Sequence, residues 1–300
     1  MQKLSIIGSS RIVEEHIKVA QKIGFKIVNI YSSRKNSKNV INLSNKYKIK
    51  NQKNYKLFLE EIQRSGSNVL IAGRIVDNSK YLNDISKFNC SIFIEKPVFT
   101  DFKYFDKYQK YQDKIFIGYN RIFYQNINML KKLIKNEKNL EIICNCPEKN
   151  TERVLTNSSH IISILIYLFG NLKIMFREKN KKSIFVRLQS SKGHRVNIFY
   201  NFKSKNNFSI NIFNKAINIL MKPIEIIFIY NKLEKKKIGN NNFYDLKIYK
   251  KLDEFKFNKY KPGFLNQMLS FHDFCYGKKK NSVSLSFSKK VMRLCNEINK

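Results

Sequence analysis

The sequence predicts two domains in series. Residues 1–120 read as an α/β domain on a doubly wound parallel sheet, and residues 121–300 as an α+β domain with a largely antiparallel open sheet. Three observations carry this expectation. Through residue 120, short apolar runs alternate with amphipathic segments of helical period, as in a parallel sheet covered by helices on both faces. Beyond Asn120 the chain changes to successive strand-like runs with hairpin breaks such as Ser190-Ser191-Lys192-Gly193. Finally, 300 residues at 43% hydrophobic and 13% aromatic content suffice for two cores, since domains commonly hold about 100–200 residues.

Taken in order, residues 3–7 are the apolar run that starts the sheet. Residues 11–23 follow with Ile12, His16, Val19, Ala20 and Ile23 at helical spacing, and Gly24 ends the helix as a C-terminal cap. Residues 26–31 are the second strand, 37–47 and 55–63 amphipathic helices, and Ser65-Gly66-Ser67 a stop. Strands at 68–72, 90–95 and 114–119 then alternate with helices at 79–88 and 101–111. In the second domain a helix over 125–135 leads to a strand near 140–146 and an apolar helix over 158–169, closed by Gly170. Runs at 174–178, 183–189, 195–201, 209–213 and 224–229 make the antiparallel sheet, and helices at 264–275 and 286–298 close the chain. There is no internal repeat.

Charge is the unusual quantity: 58 Lys+Arg against 22 Asp+Glu, a net +36. Such an excess invites a nucleic-acid partner, because phosphate neutralisation dominates that affinity. The tight runs, however, are only Lys235-Lys236-Lys237 and Lys278-Lys279-Lys280, each beside a glycine in a turn. The other lysines are spread with Asn and Ile through nearly every segment, so no specific nucleic-acid partner is expected, only a general preference for small anions. The longest apolar stretches, 161–169 and 224–230, fall short of the about 20 residues of a spanning helix, which argues against a membrane protein. The N-terminus enters a strand with no apolar signal region, and five scattered cysteines (Cys90, Cys144, Cys146, Cys275, Cys295) make no disulfide framework. Both point to the cytoplasm. Cys144-Asn145-Cys146 is spaced too closely for a zinc pair and reads as buried thiols, so no metal site is expected.

The chemistry begins at Gly8-Ser9-Ser10-Arg11-Ile12-Val13, between a strand and a helix. That is the setting of a dinucleotide-binding turn, with Ser10 and Val13 at the second and third glycine places. Alone, the loop reads equally as a cofactor site or an ordinary strand-to-helix turn. Further along, Glu95-Lys96-Pro97 ends one strand and Gly118-Tyr119-Asn120-Arg121 ends the next. Ser159-His160 follows, with Leu168-Phe169-Gly170, and Lys261-Pro262-Gly263-Phe264 precedes a helix carrying Phe271. Together, over essentially the whole chain, these segments resemble the Gfo/Idh/MocA oxidoreductase family, which pairs a Rossmann domain with an open-sheet α/β domain.

The resemblance implies a nicotinamide cofactor held by Gly8, Ser9, Ser10, Arg11 and Ile12 of the loop, Ser32, Ser33 and Arg34 after the second strand, Ala72, Glu95 and Lys96. An acid after the second strand would bind the ribose 2′-hydroxyl, whereas an arginine accommodates a 2′-phosphate. Tyr31-Ser32-Ser33-Arg34 has the arginine and no acid nearby in sequence, so NADP is expected ahead of NAD; the other reading is that Arg34 and Lys35 belong to the general basic drift. A lysine at the carboxyl end of a parallel strand stands where such sheets place ligands, and its ammonium can hold a substrate oxygen as negative charge develops. By itself His160 in an apolar helix reads more readily as a core residue than as an acid/base. The family motif places a catalytic histidine there, taking the hydroxyl proton as hydride leaves. The resemblance also implies Asp, Gly and Asp where this chain has Thr156, Ser158 and Ser163, so the carboxylates are absent. Tyr119, Asn120 and Arg121 are expected to line a substrate cleft, with Asn157 or Thr156 orienting a sugar hydroxyl, though neither accepts a proton usefully.

The expected function is therefore an NAD(P)-dependent oxidoreductase acting on a polyol, amino sugar or sugar nucleotide. The alternative is a catalytically decayed relative that binds nucleotide or sugar without turnover. A homo-oligomer through the open sheet is the expected assembly.

Overall fold

Apolar runs that are buried on both faces, plus one polar edge segment, form the first sheet of the computed structural model. They are β1 (Lys3–Ile7), β2 (Lys26–Tyr31), β3 (Lys50–Gln52), β4 (Asn68–Ile71), β5 (Ile92–Glu95) and β6 (Ile115–Gly118), in the order β3-β2-β1-β4-β5-β6. Every pairing is parallel. Such a sheet must be covered on both sides, which is why Leu4–Ile7 and all of β4 are buried. The cover includes α1 (Arg11–Lys22), α2 (Lys38–Tyr47), α3 (Tyr55–Ser65), α4 (Asn78–Ile85) and α5 (Phe102–Tyr108). α1 buries Val13, His16, Ile17, Val19 and Ala20 along one stripe. Strand order reverses between β1 and β4, the switch point at which open α/β sheets bind ligands.

The second sheet is built from β7 (Glu141–Glu148), β8 (Leu172–Lys179), β9 (Ser183–Ser190), β10 (Arg195–Phe202), β11 (Ser209–Phe213), β12 (Asn218–Met221), β13 (Ile226–Ile238) and β14 (Asn241–Asp253). Its order is β14-β13-β12-β11-β7-β10-β9-β8, antiparallel throughout except for the parallel β7–β10 pair. α6 (Gln125–Leu133) precedes it, α7 (Glu152–Thr156) and α8 (Ser159–Phe169) follow β7, and α9 (Phe264–Cys275) and α10 (Leu285–Asn299) end the chain. β7 alternates strictly: Ile142, Cys144, Cys146 and Glu148 are buried, and burial pushes the Cys144 thiol far above its ordinary range. Residues 1–34, 37–257, 259–278 and 281–300 are described; Lys35, Lys279 and Lys280 of the basic segments lie outside them. Among the described residues no helix is long and apolar enough to cross a membrane.

Two compact units result, Met1–Phe123 with Gly263–Arg293, and Tyr124–Pro262 with Leu294–Lys300. Residues 263–293, expected in the second domain, thus belong to the first. The reason is aromatic packing. Phe271 of α9 lies 5.4 Å from Phe93, 5.6 Å from Phe116 and 6.0 Å from Phe25, ring centre to ring centre. Pro147 lies within β7, opposite Asn201, and the stretch 239–244 is mostly strand, since β13 and β14 run on as a ribbon to the turn at Gly239.

Candidate functional site

The carboxyl ends of β1, β2 and β4 enclose a cavity of about 140 Å³. From the loop after β1 it is bounded by Gly8, Ser9 and Ser10, from the end of β2 by Ser32, Ser33 and Arg34, and from the end of β4 by Ala72, Gly73 and Arg74. Gly8 is at φ +142, and its N–H donates to the Tyr31 carbonyl at 2.8 Å. A Cβ at this position would stand 2.5 Å from the Ala72 carbonyl oxygen, so only glycine lets β1 turn here against β4. Ser10 is the N-cap of α1 but its side chain makes no capping bond, which leaves first-turn N–H groups of a twelve-residue helix without a side-chain acceptor. The rim is preset by hydroxyls: Ser32 Oγ lies 3.2 Å from Ser9 Oγ and accepts the Arg34 N–H at 3.2 Å.

The structure also brings residues that the sequence did not flag. Asp77, from the turn after β4, accepts from Ser33 Oγ at 3.2 Å, so an acid does reach the end of β2. Its oxygens are at the same time bound by Arg74, Nε at 3.0 Å and Nη2 at 3.1 Å. No signal within the β2 segment announces a partner 44 residues away. Arg11 is exposed and borders a neighbouring cavity of about 350 Å³ with Ser10, Glu14 and Asn39, whereas half-buried Ile12 borders neither.

At the end of β5, Lys96 is half-buried. Glu95, expected near the cofactor, has both oxygens engaged by protein: Oε1 lies 2.7 Å from His16 Nε2, and Oε2 accepts the Lys96 N–H at 3.2 Å. Tyr119, expected to line the substrate cleft, is a core residue of the first unit, fully buried with its hydroxyl 3.1 Å from Ser288 Oγ. Burial of the apolar ring outweighs any lining role. Asn120 and Arg121 are half-buried in the short turn of 3-10 helix that follows β6, and Arg121 holds Nη1 buried with no hydrogen-bond partner among the described residues. Buried Gln267 of α9 supports this turn, its amide oxygen facing the N–H groups of Tyr119 and Asn120 at 3.1 and 3.0 Å.

In the second unit His160 is the second residue of α8, half-buried, its N–H donating to the Asn157 carbonyl at 3.0 Å. Ser163 Oγ donates to the His160 carbonyl at 2.7 Å, so this hydroxyl serves the helix backbone. A carboxylate nevertheless reaches the segment. Glu148, the last residue of β7 and 5% exposed, accepts from Asn157 Nδ2 at 3.1 and 3.3 Å and from Ser158 Oγ. A buried carboxylate needs such donors. The amide of Asn157 is therefore turned toward Glu148. Alternation along β7 puts position 148 on the buried face, but its partner lies nine residues on, just past α7, and left no mark in the sequence.

A parallel nucleotide-type sheet with its cavity at the switch point occurs together with a mixed open sheet in solved two-domain dehydrogenases. More narrowly, the chain has the fold of the Gfo/Idh/MocA-type oxidoreductases. A dehydrogenase from Chromobacterium violaceum is similar with a TM-score of 0.79 at 12% identity, over 99% of this chain and 94% of that one. The dehydrogenase MviM from Clostridium difficile gives 0.75 at 15% identity, over 99% and 98%. An oxidoreductase from Agrobacterium radiobacter, in complex with NAD+, L-tartaric acid and magnesium, gives 0.74 at 10% identity, over 98% and 94%. At these identities the likeness is one of fold. No family model matches the chain, and no curated protein matches it in sequence.

Proposed function

We propose that this protein is an NADP(H)-dependent oxidoreductase that moves hydride between a nicotinamide and a carbon of a sugar-type substrate, a polyol, amino sugar or sugar nucleotide. The observation that carries the reading is the cavity at the β1/β4 switch point, with uncapped α1 N–H groups, four serine hydroxyls and two arginines around it. That donor set suits phosphates and a ribose. Gly8 to Arg11 would hold the pyrophosphate, and Ser32, Ser33, Arg34 and Arg74 a 2′-phosphate, while Arg74 already neutralises Asp77, the acid that accepts from Ser33. When bound, the nicotinamide supplies the hydride acceptor or donor.

The chain's own residues supply the rest. The Lys96 ammonium steadies the substrate oxygen as its charge changes, and the His160 imidazole takes or returns the hydroxyl proton. Arg121, with a buried nitrogen that meets no hydrogen-bond partner among the described residues, recognises a hydroxyl or anionic group of the substrate. Titration with NADPH and NADH, followed by nicotinamide fluorescence, tests the reading, and no binding of either overturns it. Arg34→Ala should weaken NADPH by about 10–100-fold, the worth of a charge-assisted hydrogen bond, and leave NADH unchanged. A nicotinamide-coupled screen of sugar nucleotides and polyols would then define the substrate.

A second reading, a relative that binds nucleotide without turnover, is favoured by Ser163, whose hydroxyl is committed to the His160 carbonyl where the family resemblance implies a carboxylate. NADPH binding with no turnover across that screen would establish it. For assembly, we propose a homo-oligomer through the open face of the second sheet. Phe176, Phe185 and Phe199 line up there with ring centres 5.9 and 4.8 Å apart, and Phe176 and Phe199 are 49% and 38% exposed. Phe199→Asp should convert the oligomer to monomer in sedimentation velocity; an unchanged mass would reject that face.

A further inference from the structure

His16 is 1% exposed in the middle of α1, its ring 5.0 Å from that of Phe93 and 4.9 Å from that of Phe264. Its Nδ1 is buried and meets no hydrogen-bond partner among the described residues, whereas Nε2 lies 2.7 Å from Glu95 Oε1. The ring proton therefore belongs on Nε2, where a carboxylate accepts it. Glu95 is held on two further sides. Its Oε2 takes the Lys96 N–H at 3.2 Å, and Gly118 of β6 packs so close that a Cβ there would stand 3.0 Å from Glu95 Cδ and Oε2. A half-buried carboxylate with this much support is a fixed point in the fold.

α1 itself starts at Arg11, directly after the Gly8–Ser10 loop. One helix thus carries the phosphate-binding loop at its start and, about a turn and a half in, the histidine that grips the residue before Lys96. We propose that His16 is a positioning residue: acting through Glu95, it ties the helix that receives the cofactor's phosphates to the backbone of Lys96. The inference rests on the role given to Lys96 under Proposed function and adds a residue to it. Because a helix is stiff along its axis, a shift of the loop on cofactor binding is passed to Lys96 by a chain of two side chains.

The test compares two replacements in the full-length protein. Glutamine carries its Nε2 the same number of bonds from Cβ as histidine does and can still donate to Glu95, whereas leucine fills similar volume with no donor. His16→Leu should lower kcat by about 10²-fold, the cost of misplacing a catalytic group by roughly 1 Å, with KM little changed, and His16→Gln should recover most of it. A second readout needs no turnover: the rate at which an amine reagent modifies Lys96, followed by peptide mass spectrometry with the other lysines as internal standards. That rate should change in His16→Leu and return in His16→Gln. Equal Lys96 rates in wild type and His16→Leu overturn the proposal, as does a loss of thermal stability in both variants with Lys96 unaffected, which would mark a purely structural bond. Should His16→Leu fail to fold, Gly118→Ala, which crowds the same carboxylate from β6, must alter the Lys96 rate, and an unaltered rate overturns the proposal. If neither NADPH nor NADH binds wild type, the functional reading falls by itself, and the Lys96 rate still decides the link between His16 and Lys96.

Discussion

Replacing Lys96 by methionine is expected to lower kcat by about 10³-fold while NADPH affinity stays within about threefold of the parent protein. Methionine keeps the unbranched stem, so the half-buried position at the end of β5 remains filled and only the ammonium is lost. The split between kcat and binding is what distinguishes a group acting on the reacting oxygen from one that holds the cofactor. Arginine should not restore the rate, because its planar fork cannot reproduce a compact point charge at the same place. His160→Asn is expected to show the same split, since α8 tolerates a polar side chain at this half-buried position. A parent-like kcat in Lys96→Met would remove Lys96 from the chemistry and leave it a strand-end charge.

Gly8→Ala is the most damaging single change expected for the loop after β1. The new methyl meets the Ala72 carbonyl at 2.5 Å, and φ +142 is a region that L residues rarely enter. Either β1 must part from β4 or the loop must rotate, at a cost of roughly 3 kcal/mol or more. Urea unfolding should show the loss as a lower midpoint, and NADPH binding should vanish at concentrations that saturate the parent. Retained binding at parent stability would mean that the loop is softer than its contacts with Tyr31 and Ala72 indicate.

How much of this was legible beforehand follows from where the information sits. α1 and β4 declared themselves because burial on a stripe or on both faces writes a period into the residues. β3, three polar residues at a sheet edge, carries no such period, and the outer part of the β13–β14 ribbon is exposed on both sides, so its lysines and aromatics alternate with nothing. For the site, the strand-end rule points to Gly8, Ser33, Arg34 and Ala72, and these residues border one cavity. Side-chain partners stayed invisible, over 44 and 79 residues for Asp77 with Ser33 and His16 with Glu95, and over only nine for Glu148 with Asn157. Each is a hydrogen bond between ordinary helix, strand or turn residues, and no local pattern encodes it. Tyr119 shows the converse, a motif position whose bulk is spent on packing.

The return of residues 263–293 to the first unit has a consequence for biogenesis. The ribosome releases β1 through β6 before α9, so the face that Phe271 covers, with Phe25, Phe93 and Phe116, stays open until α9 has emerged. The nascent first unit must therefore wait, partly assembled and with aromatic surface exposed, while all of 124–262 is made. Its completion is a long-range event, although β1 through β6 by themselves make a continuous parallel sheet.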